Sequence, residues 1–337
     1  MSRPAIVVTS INPPNRVLQE IARGAGGAGF EFLVMGDTKS PADFKLDGCD
    51  FHSVAQQEQS GFAFAKICPT KHYARKNIGY LLAIQRGAPL ILETDDDNIP
   101  RPEFWAERQM NARVPMLASG GWVNVYRYFS DALIWPRGLP LDSVQDAIPE
   151  FESLPVTDVE CPIQQGLADE NPDVDAIYRL ILPLPQNFRS DRRAALGSGS
   201  WCPFNSQNTA WWPQAYPLLY LPAYCSFRMT DIWRSFVAQR IAWANGWSIL
   251  FHEANVWQER NDHSLMRDFA DEVPGYLNNR AMCEKLAALD LKPGAGAMAD
   301  NLRLCYGALT DAGWVGKEEL PLLDAWLDDL AGCWSPS

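Results

Sequence analysis

The chain has 337 residues, 47% of them hydrophobic and 21% charged, with a formal net charge of −12 and a pI near 4.8. That length suits one large α/β domain, or one domain with an appendage, and leaves room for a sizeable core. The acidic balance excludes a general nucleic-acid or anionic-membrane binder, so any bound phosphate must be held by local groups or a metal.

The apolar segment of Met1 to Ser10 is too short for a signal peptide, and no apolar run reaches the length of about 18 residues that a membrane span needs. A soluble cytoplasmic protein without a membrane span is therefore expected. The 8 cysteines show no C-x-x-C pair and are expected to be reduced, and the 4 histidines show no helical metal-ligand spacing.

A short β-rich run at Ala5 to Thr9 leads into a helical pattern through Val17, Leu18 and Ile21, with the Gly-rich stretch 24–29 as its stop. A second strand over 30–35 ends at Gly36-Asp37, so strand, helix and strand make a βαβ unit with ligands at the carboxyl ends of parallel strands. Ser10 and Asp37 fall just past those ends. A helix is expected from Thr70 to Arg86, with Lys71, His72, Arg75 and Lys76 in its first two turns. Cations added to a helix N-terminus, which already favours anions, suggest an anion site; a basic solvent-facing surface would read the same way.

The strand at Leu90 to Thr94 then stops at three carboxylates, Asp95-Asp96-Asp97. In extended chain Asp95 and Asp97 face one point while Asp96 faces away, which suits a hard divalent ion, Mg²⁺ or Mn²⁺. A solvated acidic turn that caps a following helix is the alternative at this point. Pro102 to Asn111 reads as helix and Trp122 to Tyr126 as strand; residues 136–186, rich in proline and acids, read as loops and insertions without a motif. Thr230 or Asp231 is placed to cap a helix that ends at Asn245-Gly246, and a strand runs from Trp247 to Phe251. The acidic helical pattern beyond 275 reads as an appendage: 1–275 form the main domain, divided into halves 1–100 and 101–275, and 276–337 the helical appendage.

The run from Arg75 to Ala88 leading to the acidic triplet, with Val7-Val8-Thr9-Ser10 and Gly36-Asp37 in matching order, resembles the STELLO glycosyltransferases over at least residues 5–98. A similar order marks the wider nucleotide-sugar transferases of GT-A fold. Asn205 to Trp211 followed by Asp231-Ile232-Trp233 is more weakly similar to plant reversibly glycosylated proteins, which act as UDP-arabinopyranose mutases; Thr230 stands where those proteins carry a first acid.

The resemblance implies a GT-A (Rossmann-like), mostly parallel sheet flanked by helices. It implies a metal-dependent transfer, with inversion, from a nucleotide sugar, a UDP-sugar foremost, to a carbohydrate or glycan acceptor. Asp95 and Asp97 would serve a Mn²⁺ or Mg²⁺ ion, with Asp96 beside them. Ser10, Asp37, Arg75, Lys76 and Asn77 would hold the nucleotide with Asp95 and Asp96, and Asp231 would take the acceptor's proton. His263, in preference to His252, would complete the metal shell. The competing readings are a sugar-nucleotide mutase of the same fold and a non-catalytic nucleotide-sugar-binding scaffold.

Overall fold

The computed structural model describes residues 2–259 and 264–334. β1 (Ala5–Thr9), α1 (Arg16–Ala28) and β2 (Glu31–Met35) form the expected βαβ unit, with Ala5 opposite Glu31 in parallel register. Asn15 caps α1 by accepting from the Leu18 N–H at 2.9 Å. The Gly-rich stretch stops the helix only at Gly29, whose φ of 77° is left-handed. β3 (Asp50–His52) extends the parallel edge, followed by two short helices, α2 (Val54–Glu58) and α3 (Ala63–Ile67).

The helix expected over 70–86 is divided. Tyr73–Arg75 make a 3-10 turn and α4 (Lys76–Gln85) begins after it, which leaves Lys71 and His72 in a loop. Of the expected basic cluster only Arg75, the N-cap, and Lys76, the first residue, stand at the start of α4. α4 lies so close to the sheet that a Cβ on Gly79 would come within 2.5 Å of Val7 Cγ1. β4 (Ile91–Thr94) runs parallel to β1 and delivers the acidic triplet at its carboxyl end; β5 (Asn98–Pro100) follows directly.

From here local pattern yields to pairing. Instead of a helix over 102–111, a 3-10 turn at Pro102–Trp105 leads to β6 (Asn111–Leu117), recruited by antiparallel pairing with β8 (Val156–Glu160); β7 (Gly121–Trp122) is shorter than the strand expected there. The stretch read as loops holds a central strand, β9 (Ile163–Asp169), and a short helix, α5 (Ala176–Ile181). β9 escapes pattern reading because its Gln164 and Gln165 are buried by hydrogen bonding; Gln165 Oε1 accepts from the Asn205 N–H at 2.8 Å. The remaining elements are β10 (Arg193–Leu196), β11 (Ser200–Trp201), β12 (Asn208–Trp211), α6 (Thr230–Ala244), β13 (Ile249–Gln258), α7 (Leu265–Ala287), α8 (Met298–Asp311) and α9 (Glu319–Cys333).

The main sheet has the order β3-β2-β1-β4-β12-β9-β13-β10-β6-β8, with β5 on β13. Its first four strands are all parallel, and antiparallel pairings enter at β12; counted by direction, β1 to β4, β8, β9 and β13 run one way. The α/β class, with a central sheet flanked by helices, agrees with the sequence reading. In β1, Ile6 and Val8 face α1 while Ala5 and Val7 face the larger core under α4, the two-residue alternation of a strand buried on both faces.

The boundary expected at 275 falls inside α7, and the helices beyond it share the larger core. Trp326 of α9 packs against Phe64 and Tyr220 at ring separations of 6.2 and 6.0 Å. Among the described residues no helix is long and apolar enough to cross a membrane.

Candidate active site at the ends of β1, β2 and β4

The carboxyl ends of β1, β2 and β4 open into a cleft with two adjoining parts. One, about 430 Å³, runs from Ser10 and Asn12 past Asp37 to His72 and Arg75; the other, about 250 Å³, lies between Asp95–Asp97 and a wall that includes Arg137, Asp173 and Asp231. Thr9, Tyr73, Asp96 and Phe227 line both parts.

β4 ends at Thr94, and the three carboxylates diverge from a turn closed by the Asn98 N–H donating to the Asp95 carbonyl at 3.3 Å. Asp96 turns back to β1, accepting from Ser10 Oγ at 2.5 Å and Asn12 Nδ2 at 2.9 Å, while Asn15 Nδ2 donates to its carbonyl at 2.8 Å. The residue that caps α1 therefore also fixes the acidic loop. On the other side, Asp95 accepts from Lys76 Nζ at 2.9 Å, and both oxygens of the buried Asp97 accept from Gln258 Nε2 at 3.1 Å. Burial, countered by Lys76 and reinforced by Asp97, pushes the Asp95 carboxyl up to about 7. Lys76 alone does not offset burial and Asp97, and the donors are hard oxygens, so the pair fits a divalent cation. Among the described residues no three His, Cys, Asp or Glu side chains form a metal-holding group, so further ligands would come from phosphate oxygens and water.

The nucleotide-side residues divide by what they already hold. Ser10 and Asp37 line the larger hollow; Asp37 accepts from the His72 N–H at 3.0 Å and so fixes the start of the 72–75 turn. Arg75 lines it too. Its Nε donates to Gln57 Oε1 at 2.7 Å and its Nη1 to the Cys68 carbonyl at 2.9 Å, while buried Nη2 has no hydrogen-bond partner among the described residues. Lys76 is wholly buried: it donates to the Thr94 and Ser206 carbonyls at 2.8 and 3.2 Å besides Asp95, so its charge reaches the cleft only through Asp95. Asn77 faces elsewhere, clamping the backbone of Leu221 through both ends of its amide at 2.8 and 2.9 Å.

Asp231 stands in the first turn of α6 and neither it nor Thr230 caps that helix, whose start at Met229 has no side-chain cap. Its carboxylate accepts from Arg137 at 2.9 and 3.1 Å, from Tyr73 Oη at 3.2 Å and from the Ser206 N–H at 3.2 Å. Burial alone would raise its pKa, but Arg137 brings it down to about 2. Arg137 also grips Asp173 through two bonds of 2.8 Å. The wall facing the acidic triplet is thus an Asp–Arg–Asp group in which Asp231 is ionised.

Behind it, Arg234, one turn on from Asp231, makes a bidentate pair with Glu93 of β4 at 2.8 and 2.9 Å, and Trp211 Nε1 donates to the same carboxylate at 2.8 Å. That buried network ties β4, β12 and α6 together beneath the cleft.

The sequence reading missed Arg137, Asp173, Tyr73 and Gln258. Arg137 and Asp173 lie in the 136–186 stretch, where only tertiary contact gives them meaning; Gln258 ends a β13 that runs past the expected stop at His252. Tyr73 lay next to the basic cluster, a polar aromatic that the sequence offered as a signal. The cleft's aromatics are Tyr73 and Phe227, their rings edge-to-face at 5.0 Å, and no tryptophan lines either part. His252 lines a separate hollow, and His263 lies outside the described residues.

Comparison with known proteins follows the same direction. The family model described as STELLO glycosyltransferases matches residues 228–333, from just before α6 to the end of α9. Over 344 aligned residues the chain is 28% identical to "Probable glycosyltransferase STELLO2" and 27% identical to "Probable glycosyltransferase STELLO1", both of Arabidopsis thaliana. Each match covers 96% of this chain and 44% of the relative, so the chain spans less than half the length of the curated relatives it matches. The resemblance to STELLO proteins read from residues 5–98 is borne out and extends through the α6 side of the cleft. A solved structure described as "Crystal Structure of a Mycobacterial Protein" aligns with a TM-score of 0.40 and 10% identity over 84% of this chain and 74% of that one.

Proposed function

We propose that this chain is a GT-A glycosyltransferase that moves a sugar from a nucleotide sugar, UDP-linked by preference, to a carbohydrate acceptor. The observation that carries the reading is the opposition, across one cleft, of the Asp95–Asp97 carboxylates and the Asp231–Arg137–Asp173 wall, beside a hollow of about 430 Å³. The similarity to proteins named probable glycosyltransferases supports it.

In this reading Asp95 and Asp97 hold Mn²⁺ or Mg²⁺, which when bound neutralises charge developing on the leaving diphosphate. Ser10, Asp37 and the spare N–H of Arg75 receive the nucleotide, and Lys76 orients Asp95 from below. Asp231 enters the reaction ionised. A carboxylate of such low pKa is a weak base for a resting hydroxyl. It still serves as terminal acceptor for a hydroxyl that turns strongly acidic as its oxygen bonds the anomeric carbon, and transfer then inverts configuration. Arg137, shared with Asp173, can keep its charge paired while Asp231 takes the proton.

The tight Arg137–Asp231 pair also favours a second reading, a nucleotide-sugar-binding scaffold without turnover. Incubation with UDP-, GDP- and ADP-sugars and Mn²⁺ in the presence of glycan acceptors separates these. Release of nucleoside diphosphate that EDTA abolishes supports the transferase; ring interconversion without release identifies a mutase, and binding alone the scaffold. Asp231→Asn is expected to spare nucleotide binding and remove transfer. Equal loss of both rejects the base role.

A further inference from the structure

A second hollow of about 360 Å³ opens where β9, β13, β10 and β6 lie side by side, and it shares no lining residue with the cleft above. Its floor includes Gln164, His252 and Asn255, which are only 2%, 9% and 4% exposed. Each spends one polar end inside the protein. Gln164 Nε2 donates to the Gln109 carbonyl at 2.8 Å, and Asn255 Oδ1 accepts from Asn208 Nδ2 at 2.7 Å. His252 Nδ1 is 2.9 Å from the Glu253 carbonyl, an acceptor, which makes Nδ1 the protonated nitrogen. The other ends, Gln164 Oε1, Asn255 Nδ2 and His252 Nε2, have no hydrogen-bond partner among the described residues.

The backbone is shaped for this. β13 breaks register with β9 between His252 and Val256, a bulge that re-aims Glu253 and Asn255 into the hollow. Opposite His252 stands Gly166, where a Cβ would come within 2.7 Å of the imidazole and 2.4 Å of the Asn208 amide; glycine leaves both side chains their room. The rim carries Arg108, Arg113 and Arg193 together with Glu103, Glu107 and Glu253, opposite charges in balance. Burial, and then the field of Arg108, push His252 down to about 3, so it remains a neutral acceptor.

We propose that this hollow is a second carbohydrate site, one that binds a neutral saccharide. Sugar hydroxyls both donate and accept, and a floor offering an amide oxygen, an amide N–H and an imidazole lone pair matches a run of them. Three floor groups that cannot ionise near neutrality, under a charge-balanced rim, give a strongly charged ligand no counter-charge. The volume falls in the lower part of the range of roughly 300–1,000 Å³ usual for ligand pockets. Along β13, His252 and Gln258 stand roughly 20 Å apart at about 3.3 Å per residue, so a glycan held here lies apart from the acidic triplet.

The test is saturation-transfer NMR on the whole chain without nucleotide or metal. The probes are methyl glycosides of glucose, galactose, mannose, xylose and arabinose, with inorganic phosphate and glucuronate in parallel. At least one neutral glycoside is expected to bind, and to bind about tenfold more weakly in Asn255→Leu and in Arg193→Gln, a loss of the size that one or two hydrogen bonds give. Binding should be unchanged in Asp231→Asn, which alters the other cleft. Arg193 is exposed, so its variant tests the site even if the buried Asn255 change unfolds the chain. No glycoside binding, binding of phosphate or glucuronate alone, or glycoside binding lost in Asp231→Asn but kept in Arg193→Gln would each overturn the proposal.

Discussion

Asp95 concentrates the chemistry of the cleft, because burial and Asp97 oppose its ionisation while Lys76 favours it. Its folded-state pKa of about 7 lies above the ordinary 3.8, so the native state binds the proton more tightly than the unfolded chain. Stability contributed by this group is present at low pH and lost as pH rises through about 7. Without metal, the melting temperature of Asp95→Asn relative to the parent should therefore rise between about pH 4 and 7 and then level off. Added Mn²⁺ should stabilise the parent more at pH 8 than at pH 6, since only the deprotonated carboxylate binds the ion, and should not stabilise the variant. Thermal scans across pH with and without Mn²⁺ check both; a flat metal response denies Asp95 its ligand role. Asp231 has the opposite sign. Held at about 2 by Arg137, it contributes stability above the ordinary carboxylate range that is lost as pH falls toward 2.

Among the elements, β4 and α6 carry the two walls of the cleft, and the Glu93–Arg234 pair sets their separation. Both side chains are buried, and removing one partner leaves a charge without its counter-ion. Arg234→Met should cost about 3–5 kcal/mol in urea unfolding and weaken nucleotide binding, although Arg234 lines neither part of the cleft. A smaller loss, with nucleotide binding intact, would mean that other contacts set the spacing. Gly79 sets the height of α4 over β1 and β2. Gly79→Ala forces its Cβ against Val7 and Met35 and should cost about 1–3 kcal/mol by overpacking, measured in the same way.

For the whole molecule, the helices after residue 275 complete the core that supports the site. Glu319 of α9 accepts from the Ala223 and Tyr224 N–H groups at 3.0 and 2.7 Å, and Asp329 from the Ala63 and Phe64 N–H groups that begin α3 at 3.0 and 2.7 Å. A chain ending at residue 275 should therefore lose cooperative unfolding and expose apolar surface, read by calorimetry and dye binding. A truncated chain that melts in one sharp transition would restore the idea of a separable appendage.

Residues whose chemistry is local were legible in the sequence. The βαβ start and the acidic triplet at the end of a buried strand follow from local pattern, while the parting of Asp96 from Asp95 and Asp97 is made by a turn rather than by the extended chain expected there. The resemblance to STELLO proteins rested on that same stretch. What local pattern could not supply was the partner of each charge. Lys76 and Arg75 read as an anion site or a basic solvent-facing surface because nothing in their own segment reveals the carbonyls of Thr94, Ser206 and Cys68 that bury them. β9 read as loop because its glutamines are satisfied by residues distant in sequence, and Arg137 and Asp173 had no motif because their meaning is Asp231. The sequence alone determined where negative charge gathers and on which strand. Tertiary structure decided which cations meet it and which wall it faces, because the interactions that settle those questions join segments far apart in the chain.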